Sequence, residues 1–163
     1  MNERNLTPVE KDIVKTNIDD AIVNLNLDMS HDNSEIVSAI DSFVLSWQKK
    51  RRTRFSSLFQ VNSNAENIAN SLGCLWGNSV YKELGWEWIV LEEDGNDYLV
   101  VANKTRSMVI YPIEFVSICL KKPLADCTIE LSFNMLRAQR VPEDLKRGSY
   151  ENIMSRIAHI VPS

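Results

Sequence analysis

The sequence is poor in cysteine and has no long hydrophobic run. Cys74, Cys119 and Cys127 match no CxxC spacing, and an odd number leaves at least one of them unpaired, so we expect reduced, buried thiols and no disulfide scaffold. No run approaches the roughly 18 apolar residues that cross a bilayer, and no apolar stretch follows the charges of the first residues, MNERNLTPVEKD. We therefore expect a cytoplasmic protein that does not bind membranes.

Histidine is also scarce, and the motifs that mark common enzymes are missing. The sequence contains no P-loop, GxGxxG fingerprint, HExxH helix or GxSxG elbow. Of its two histidines, His31 lies in a polar loop and His159 in the last predicted helical turn, where a cation suits the helix dipole. We therefore predict no catalytic residue, no metal site and no cofactor.

The residues that are present are typical of one globular domain. Hydrophobic residues occupy 44% of the 163 positions and charged residues 25%, which is close to the globular average. We predict a single α+β domain over residues 1–163. It is expected to be helical over 1–84, to form a sheet over 86–112, and to be helical again over 113–161, with these last helices packed on the sheet.

Three helices are predicted in the first half of the chain. The first begins with the capping-box sequence TPVE and keeps helical apolar spacing to about residue 28. The second covers about 34–50. The third starts at Ser63, whose spacing to Glu66 repeats the capping box, and it ends at Gly85.

From Trp86 onward the pattern changes to strands. The segments WEWIVLE, DYLVVAN and SMVIYP, separated by polar turns, predict a three-stranded antiparallel meander. Apolar residues occupy both parities of these strands, so both sheet faces need cover, either from helices on both sides or from a partner. Beyond Pro112 we predict a short helix over 113–122 and a terminal helix over 153–160. Residues 128–139 fit either a helix or a strand, and helix is favoured.

Two pairs of residues suit either packing or binding. Gly73 and Gly77 lie in the third helix, where each glycine costs up to ~1 kcal/mol relative to alanine, so another element must approach closely. Trp86 and Trp88 share one strand face and could form an interface hot spot. A packing role in the core is favoured for both pairs.

Charge is unevenly distributed along the chain. Residues 1–48 carry nine acids against three bases and residues 55–163 carry thirteen against ten, whereas 49–54 are strongly basic. Clustered cations favour nucleic acid, but bases are also favoured at helix carboxyl ends. The charged residues of this run are Lys49, Lys50, Arg51, Arg52 and Arg54.

Acidic residues on the first helix and at the hairpin tip form the other candidate surface. Such residues would speed the encounter with a basic partner protein. The tip lacks the alternating ligands of an EF-hand loop, so we favour a solvated turn over a calcium site. The predicted partner-binding residues are Asp12, Asp19, Asp20, Glu92, Glu93 and Asp94.

A helix with paired glycines that ends in Leu-Gly precedes a Trp-x-Trp strand, further apolar strands and a proline-led helix within residues 72–116. The positions that carry this pattern are Gly73, Gly77, Leu84, Gly85, Trp86, Trp88 and Pro112. The segment resembles a bacterial domain family of unknown function. The resemblance implies an α+β fold and a bacterial source, and it brings no active site with it. In size and acidity the chain is also similar to the immunity proteins that neutralise toxins.

These observations lead to a functional expectation. We expect a non-enzymatic protein-binding module, most concretely an immunity or antitoxin-like protein that blocks a bacterial toxin by occlusion. The partner is then another protein, such as a cognate toxin, with a second copy of the chain as the alternative. A nucleic-acid-associated regulator that uses residues 49–54 is the competing hypothesis, although the acidic remainder of the chain opposes it. An enzyme with an unrecognised site is the third.

Overall fold

The computed structural model describes residues 2–28, 30–53, 61–140 and 145–157. Arg54, His159 and the side chain of Ser63 lie outside the described part, as does the end of the predicted terminal helix. The elements in chain order are β1 (Asn2–Asn5), α1 (Pro8–Asn24), α2 (Asn33–Thr53), α3 (Val61–Leu84), β2 (Glu87–Glu93), β3 (Asn96–Ala102), β4 (Met108–Ile110), α4 (Pro112–Lys121), α5 (Ile129–Arg137), β5 (Glu151–Asn152) and α6 (Ile153–Ile157).

The predicted α+β class is confirmed, but the sheet is larger than the predicted meander. In the described part of the chain five strands form one sheet in the order β1-β2-β3-β4-β5. Strands β1 to β4 pair antiparallel and β5 pairs parallel to β4, so the sheet is mixed. The meander is correct for β2, β3 and β4. Both edge strands were missed because β1 is the exposed polar tetrapeptide NERN and β5 has two residues, so neither shows strand periodicity.

Short-range hydrogen bonds set the start of the first helix as the sequence predicts. The Thr7 hydroxyl accepts the N–H of Glu10 at 3.3 Å, and the Glu10 carboxylate accepts the N–H of Thr7 at 2.8 Å, which completes the capping box. The same carboxylate binds Arg4 of β1. These bonds lower the pKa of Glu10 to about 2, with the Arg4 bond as the largest cause. The first strand is thereby tied to the first helix.

The ambiguous segment 128–139 contains a helix, α5, as favoured. The hydroxyl of Thr128 does not cap this helix. Instead Asp41, a buried carboxylate on α2, accepts the N–H of Glu130 at 3.2 Å. A cap supplied by a distant helix leaves no local sequence signal, which explains why the periodicity of this segment alone was ambiguous.

One sheet face packs on the helical layer. Trp86, Val101 and Ile110 share a buried cluster with residues of α3, α4 and α5, so the core interpretation of Trp86 is correct. The carboxy-terminal helices do not all pack directly on the sheet as predicted, because α4 lies along α3 and α5 lies along α2. None of the helices within the described ranges is long and apolar enough to span a bilayer.

The paired glycines allow the closest approach in this layer. A Cβ atom at Gly73 would lie 2.6 Å from the Cα of Ile113 at the start of α4. A Cβ atom at Gly77 would lie 2.4 Å from the ring of Trp88 and 3.1 Å from Pro112. The glycines therefore seat both the proline-led helix and the Trp-x-Trp strand against α3, as their packing interpretation predicted.

The opposite sheet face is buried as well, as apolar residues at both strand parities predicted. Its strand residues, among them Ile89, Leu91 and Val100, are at most 1% exposed. Among the described residues, the partly buried hydrophobic side chains packed against this cluster are those of Tyr98, Tyr111 and Tyr150. We call this the tyrosine face, defined by these three rings.

Candidate functional site

The outward side of α1 carries three of the predicted acidic residues. Positions 9, 12, 13, 16, 19, 20 and 23 recur every three or four residues and so lie on one side of the helix. Asp12, Asp19 and Asp20 are all exposed there. Aliphatic side chains on the same side are exposed too, with Val9 at 67%, Ile13 at 52% and Val23 at 76%. We call these seven positions the α1 face; none of them is basic.

The hairpin between β2 and β3 carries the other three predicted acids. Asp94 and Gly95 form its two-residue turn with φ of 52° and 78°, as type I′ hairpins require. Glu92 and Asp94 are exposed, whereas Glu93 is half-buried and accepts a hydrogen bond from the Tyr111 hydroxyl at 3.1 Å. Glu93 therefore points into the structure and is not a free tip charge.

Arg4 joins the hairpin to the start of α1. Its guanidinium donates to both carboxylate oxygens of Glu10 at 2.9 and 2.8 Å and to Asp97 of β3 at 2.9 Å. The α1 face begins at this point, and Asp19 lies roughly 14 Å further along the helix at 1.5 Å per residue. Arg4 therefore links the two elements that carry the predicted acids, which are α1 and the β2–β3 hairpin.

A cleft opens at the edge of the tyrosine face. It has a volume of about 430 Å³ and lies between the sheet and α4. Tyr98 and Tyr111 meet edge to face in its wall, with ring centroids 5.7 Å apart and planes at 73°. The described residues that line the cleft are Glu93, Tyr98, Tyr111, Glu114, Phe115, Ile118, Tyr150 and Asn152.

Glu114 is the unusual residue of this cleft. It lies in the first turn of α4, and its buried Oε2 atom has no hydrogen-bond partner in the part of the chain that the structure describes. Burial raises the pKa of this carboxyl, partly offset by the residue's own backbone N–H. Sequence patterns did not single out Glu114, because an acidic residue in a first helical turn is common for reasons of the helix dipole alone.

Tyr150 spans the tyrosine face from the far side. Its hydroxyl donates to Glu3 of β1 at 2.9 Å, although Tyr150 itself precedes β5 at the other edge of the sheet. Its φ is +49°, in the left-handed region that a bulky residue adopts at a cost of about 1–3 kcal/mol. Arg106 supports the same carboxylate at 2.7 Å. The ring is therefore held over the sheet by contacts that outweigh this backbone strain.

The basic run is engaged within the protein. Arg51 donates to the backbone oxygens of Leu120 at 2.6 Å and Lys121 at 3.1 Å, and Arg52 donates to that of Pro123 at 2.8 Å. These carbonyls lie at and just beyond the carboxyl end of α4. The last carbonyl groups of a helix have no N–H partner within the helix, so donors from elsewhere stabilise them. Lys49 and Lys50 are exposed and also have interactions within the protein. Arg51 and Arg52 therefore make intramolecular contacts, with carbonyl oxygens as the acceptors.

The structure defines the surroundings of the three cysteines and of His31. Burial, with a smaller effect of Glu114, raises the pKa of the Cys74 thiol to about 12. Contact with Cys119 and burial raise the pKa of Cys127, which donates to Asp41 at 3.3 Å. All three cysteines are unpaired, but Cys127 is only half-buried. His31 contacts Asp28 in the α1–α2 loop. Within the described ranges, no three His, Cys, Asp or Glu residues are grouped to hold a metal ion.

The long helix, the meander and the proline-led helix together define an α+β unit built around the paired glycines. Residues 53–126, which contain this unit, match the family model described as a domain of unknown function, DUF3806. The match confirms the resemblance to an uncharacterised domain family seen in residues 72–116. No curated protein and no solved structure matches the chain.

Proposed function

We propose that the chain is a non-enzymatic protein-binding module that occludes the functional surface of a basic bacterial toxin, in the manner of an immunity or antitoxin protein. The observation that carries this proposal is the α1 face. It combines exposed aliphatic side chains with acids and contains no base, which is a composition suited to a partner of opposite charge.

The two kinds of residue on this face have different roles. Single exposed aliphatic residues are common on protein surfaces, but three on one helix face can be buried together by a partner. Val9 and Ile13 are one turn apart and would serve as anchors, since most binding energy comes from a few buried side chains. Asp12, Asp19 and Asp20 would speed the encounter, as would Glu92 and Asp94 at the hairpin tip.

The nucleic-acid alternative has less support. Arg51 and Arg52 already bind carbonyl groups at the end of α4, so a phosphate backbone would have to compete with these contacts. The chain as a whole has a net charge of −4, which also opposes a polyanion.

The proposal is tested with the product of the gene next to the one that encodes this chain. We expect that product to be toxic when expressed alone, and co-expression of the chain to restore growth through a purified complex. The double variant Val9→Ser/Ile13→Ser should bind at least tenfold more weakly, because both side chains are already exposed in the free protein and their loss acts on the complex. The control is Leu124→Ser, an aliphatic residue that is 84% exposed elsewhere. Failure to form a complex, or equal affinity of both variants, would contradict the proposal.

A further inference from the structure

We propose that the cleft beside the tyrosine face is a recognition site for an organic cation, a guanidinium or ammonium group on an apolar stem. In a protein-binding module this group would be an arginine or lysine side chain of the partner, so this assignment of its source rests on the proposed function. A free amine with the same chemistry is the other source, and the experiment below separates them.

The aromatic walls of the cleft suit a cation. Tyr98, Tyr111 and Tyr150 line it together with Phe115. The negative faces of aromatic rings attract ammonium and guanidinium groups, and several rings around one space are the usual device for holding them. Phe115 and Ile118 of α4 offer apolar contact for the stem. The volume of about 430 Å³ lies within the range of ligand pockets.

The charges of the cleft select a cation over other ligands. Among the described lining residues, both charged side chains are carboxylates, Glu93 and Glu114, and none is basic. Among the described residues, the Oε2 atom of Glu114 has no hydrogen-bond partner, and burying such an atom is costly. A cation in the cleft would offset this cost, whereas an anion would be repelled and a neutral ligand would leave the charge uncompensated.

Glu93 is positioned for this role by Tyr111. The Tyr111 hydroxyl donates to one carboxylate oxygen of Glu93. A tyrosine hydroxyl is protonated at neutral pH and can donate; burial, followed by the contact with Glu93, raises the pKa of Tyr111 further. The held carboxylate lines the same cleft as Glu114.

Strain at Tyr150 is a further sign that the cleft is built for binding. A left-handed backbone at a tyrosine persists only where surrounding contacts hold it, and such residues concentrate at ligand sites. Here Glu3 and the N–H bond from Tyr150 to the Arg106 carbonyl, at 2.9 Å, hold it in place. In this conformation Tyr150 lines the cleft as its third tyrosine ring.

The test is an NMR titration of the intact chain with small probes. Blocked arginine, Nα-acetyl-arginine N-methylamide, mimics a side chain of a partner, and tetramethylammonium represents a free quaternary amine. The neutral control ligand is the matching blocked citrulline. We expect saturable shifts of the Tyr98 and Tyr111 ring signals with blocked arginine, with a Kd on the order of 1 mM, and little response to citrulline. Tighter binding of tetramethylammonium than of blocked arginine would assign the cleft to a free amine.

Glu114→Gln is the decisive variant. It should weaken blocked-arginine binding roughly tenfold, because it removes the charge and keeps the shape. Asp126→Asn removes the same charge from an exposed position between α4 and α5 and should change the affinity less than about twofold, since an exposed charge outside the cleft is screened by salt. Equal binding of arginine and citrulline, or unchanged binding by the Glu114 variant, would overturn the inference.

The stability of the Glu114→Gln variant against urea provides a second test. Because the pKa of Glu114 is raised in the folded protein, its ionised form disfavours folding above that pKa, and this penalty fades as the pH falls through it toward the unfolded value. We therefore expect the amide variant to have a urea midpoint at or above that of the parent at pH 7, with a smaller difference near pH 4. A weaker fold at pH 7 would contradict the inference. Cation binding without any partner complex would leave the inference standing while the proposed function fails.

Discussion

At the scale of single residues, the paired glycines illustrate how far sequence reasoning reaches. A glycine four residues from another in a long helix indicated a close approach, and the structure shows which atoms approach: the backbone of Ile113 at Gly73 and the Trp88 ring at Gly77. The sequence could not name these atoms, since they come from elements more than ten residues away. The sequence analysis did not predict a role for Glu114 either, because its burial depends on contacts that form only in the folded chain.

The glycines give a prediction of unusual sign. In an exposed helix interior, alanine is favoured over glycine by up to ~1 kcal/mol. Here Gly73→Ala and Gly77→Ala should instead destabilise the fold by about 1–3 kcal/mol through overpacking. Gly73→Ala should be worse, because its Cβ would meet backbone and not the end of a side chain. Urea midpoints measure this, with exposed Asn70→Ala as the control. Alanine variants as stable as the parent would show that α3 and α4 are packed less closely.

At the scale of elements, local signals predicted well and long-range ones did not. The capping box of α1 and the end of α3 before Gly85, with φ of +64°, follow from neighbouring residues and were predicted. A second capping box lies at the start of α2, where the carboxylates of Asp32 and Glu35 each accept the backbone N–H of the other residue. It has the same local origin, but the sequence analysis did not recognise it. Strand β1 exists because β2 offers a free edge and Arg4 binds Glu10 and Asp97, none of which is visible as periodicity.

The end of α2 provides the prediction at this scale. Arg51→Gln/Arg52→Gln should lower the free energy of unfolding by about 1–2 kcal/mol, because carbonyls at the end of α4 lose charged donors. Lys104→Gln, which removes one exposed positive charge in the β3–β4 turn, should have little effect. Chemical unfolding of the three proteins decides the matter. If the double variant is as stable as the parent, the arginine–carbonyl contacts do not stabilise the fold, and the nucleic-acid hypothesis for the basic run gains support.

At the scale of the whole molecule, the two sheet faces have different surroundings. One carries the helical layer that holds the fold together, and the tyrosine face borders a cleft with two carboxylates. Apolar residues at both strand parities predicted that both faces are covered. They could not predict that Tyr150 packs on the second face, because Tyr150 lies far along the sequence from the strands that it contacts. The cleft could therefore not be predicted, whereas the acids of the α1 face could be.

The central claim is that the α1 face contacts a basic partner protein, and site-specific photo-crosslinking in cells tests it most directly. A photoreactive residue is placed at Ile13 on the α1 face or at Leu131 on α5, which are 52% and 43% exposed and so tolerate replacement. We predict one dominant crosslinked protein from position 13, joined through a segment rich in lysine or arginine, and no such product from position 131. Equal crosslinking from both positions, or an acidic partner segment at position 13, would contradict the account.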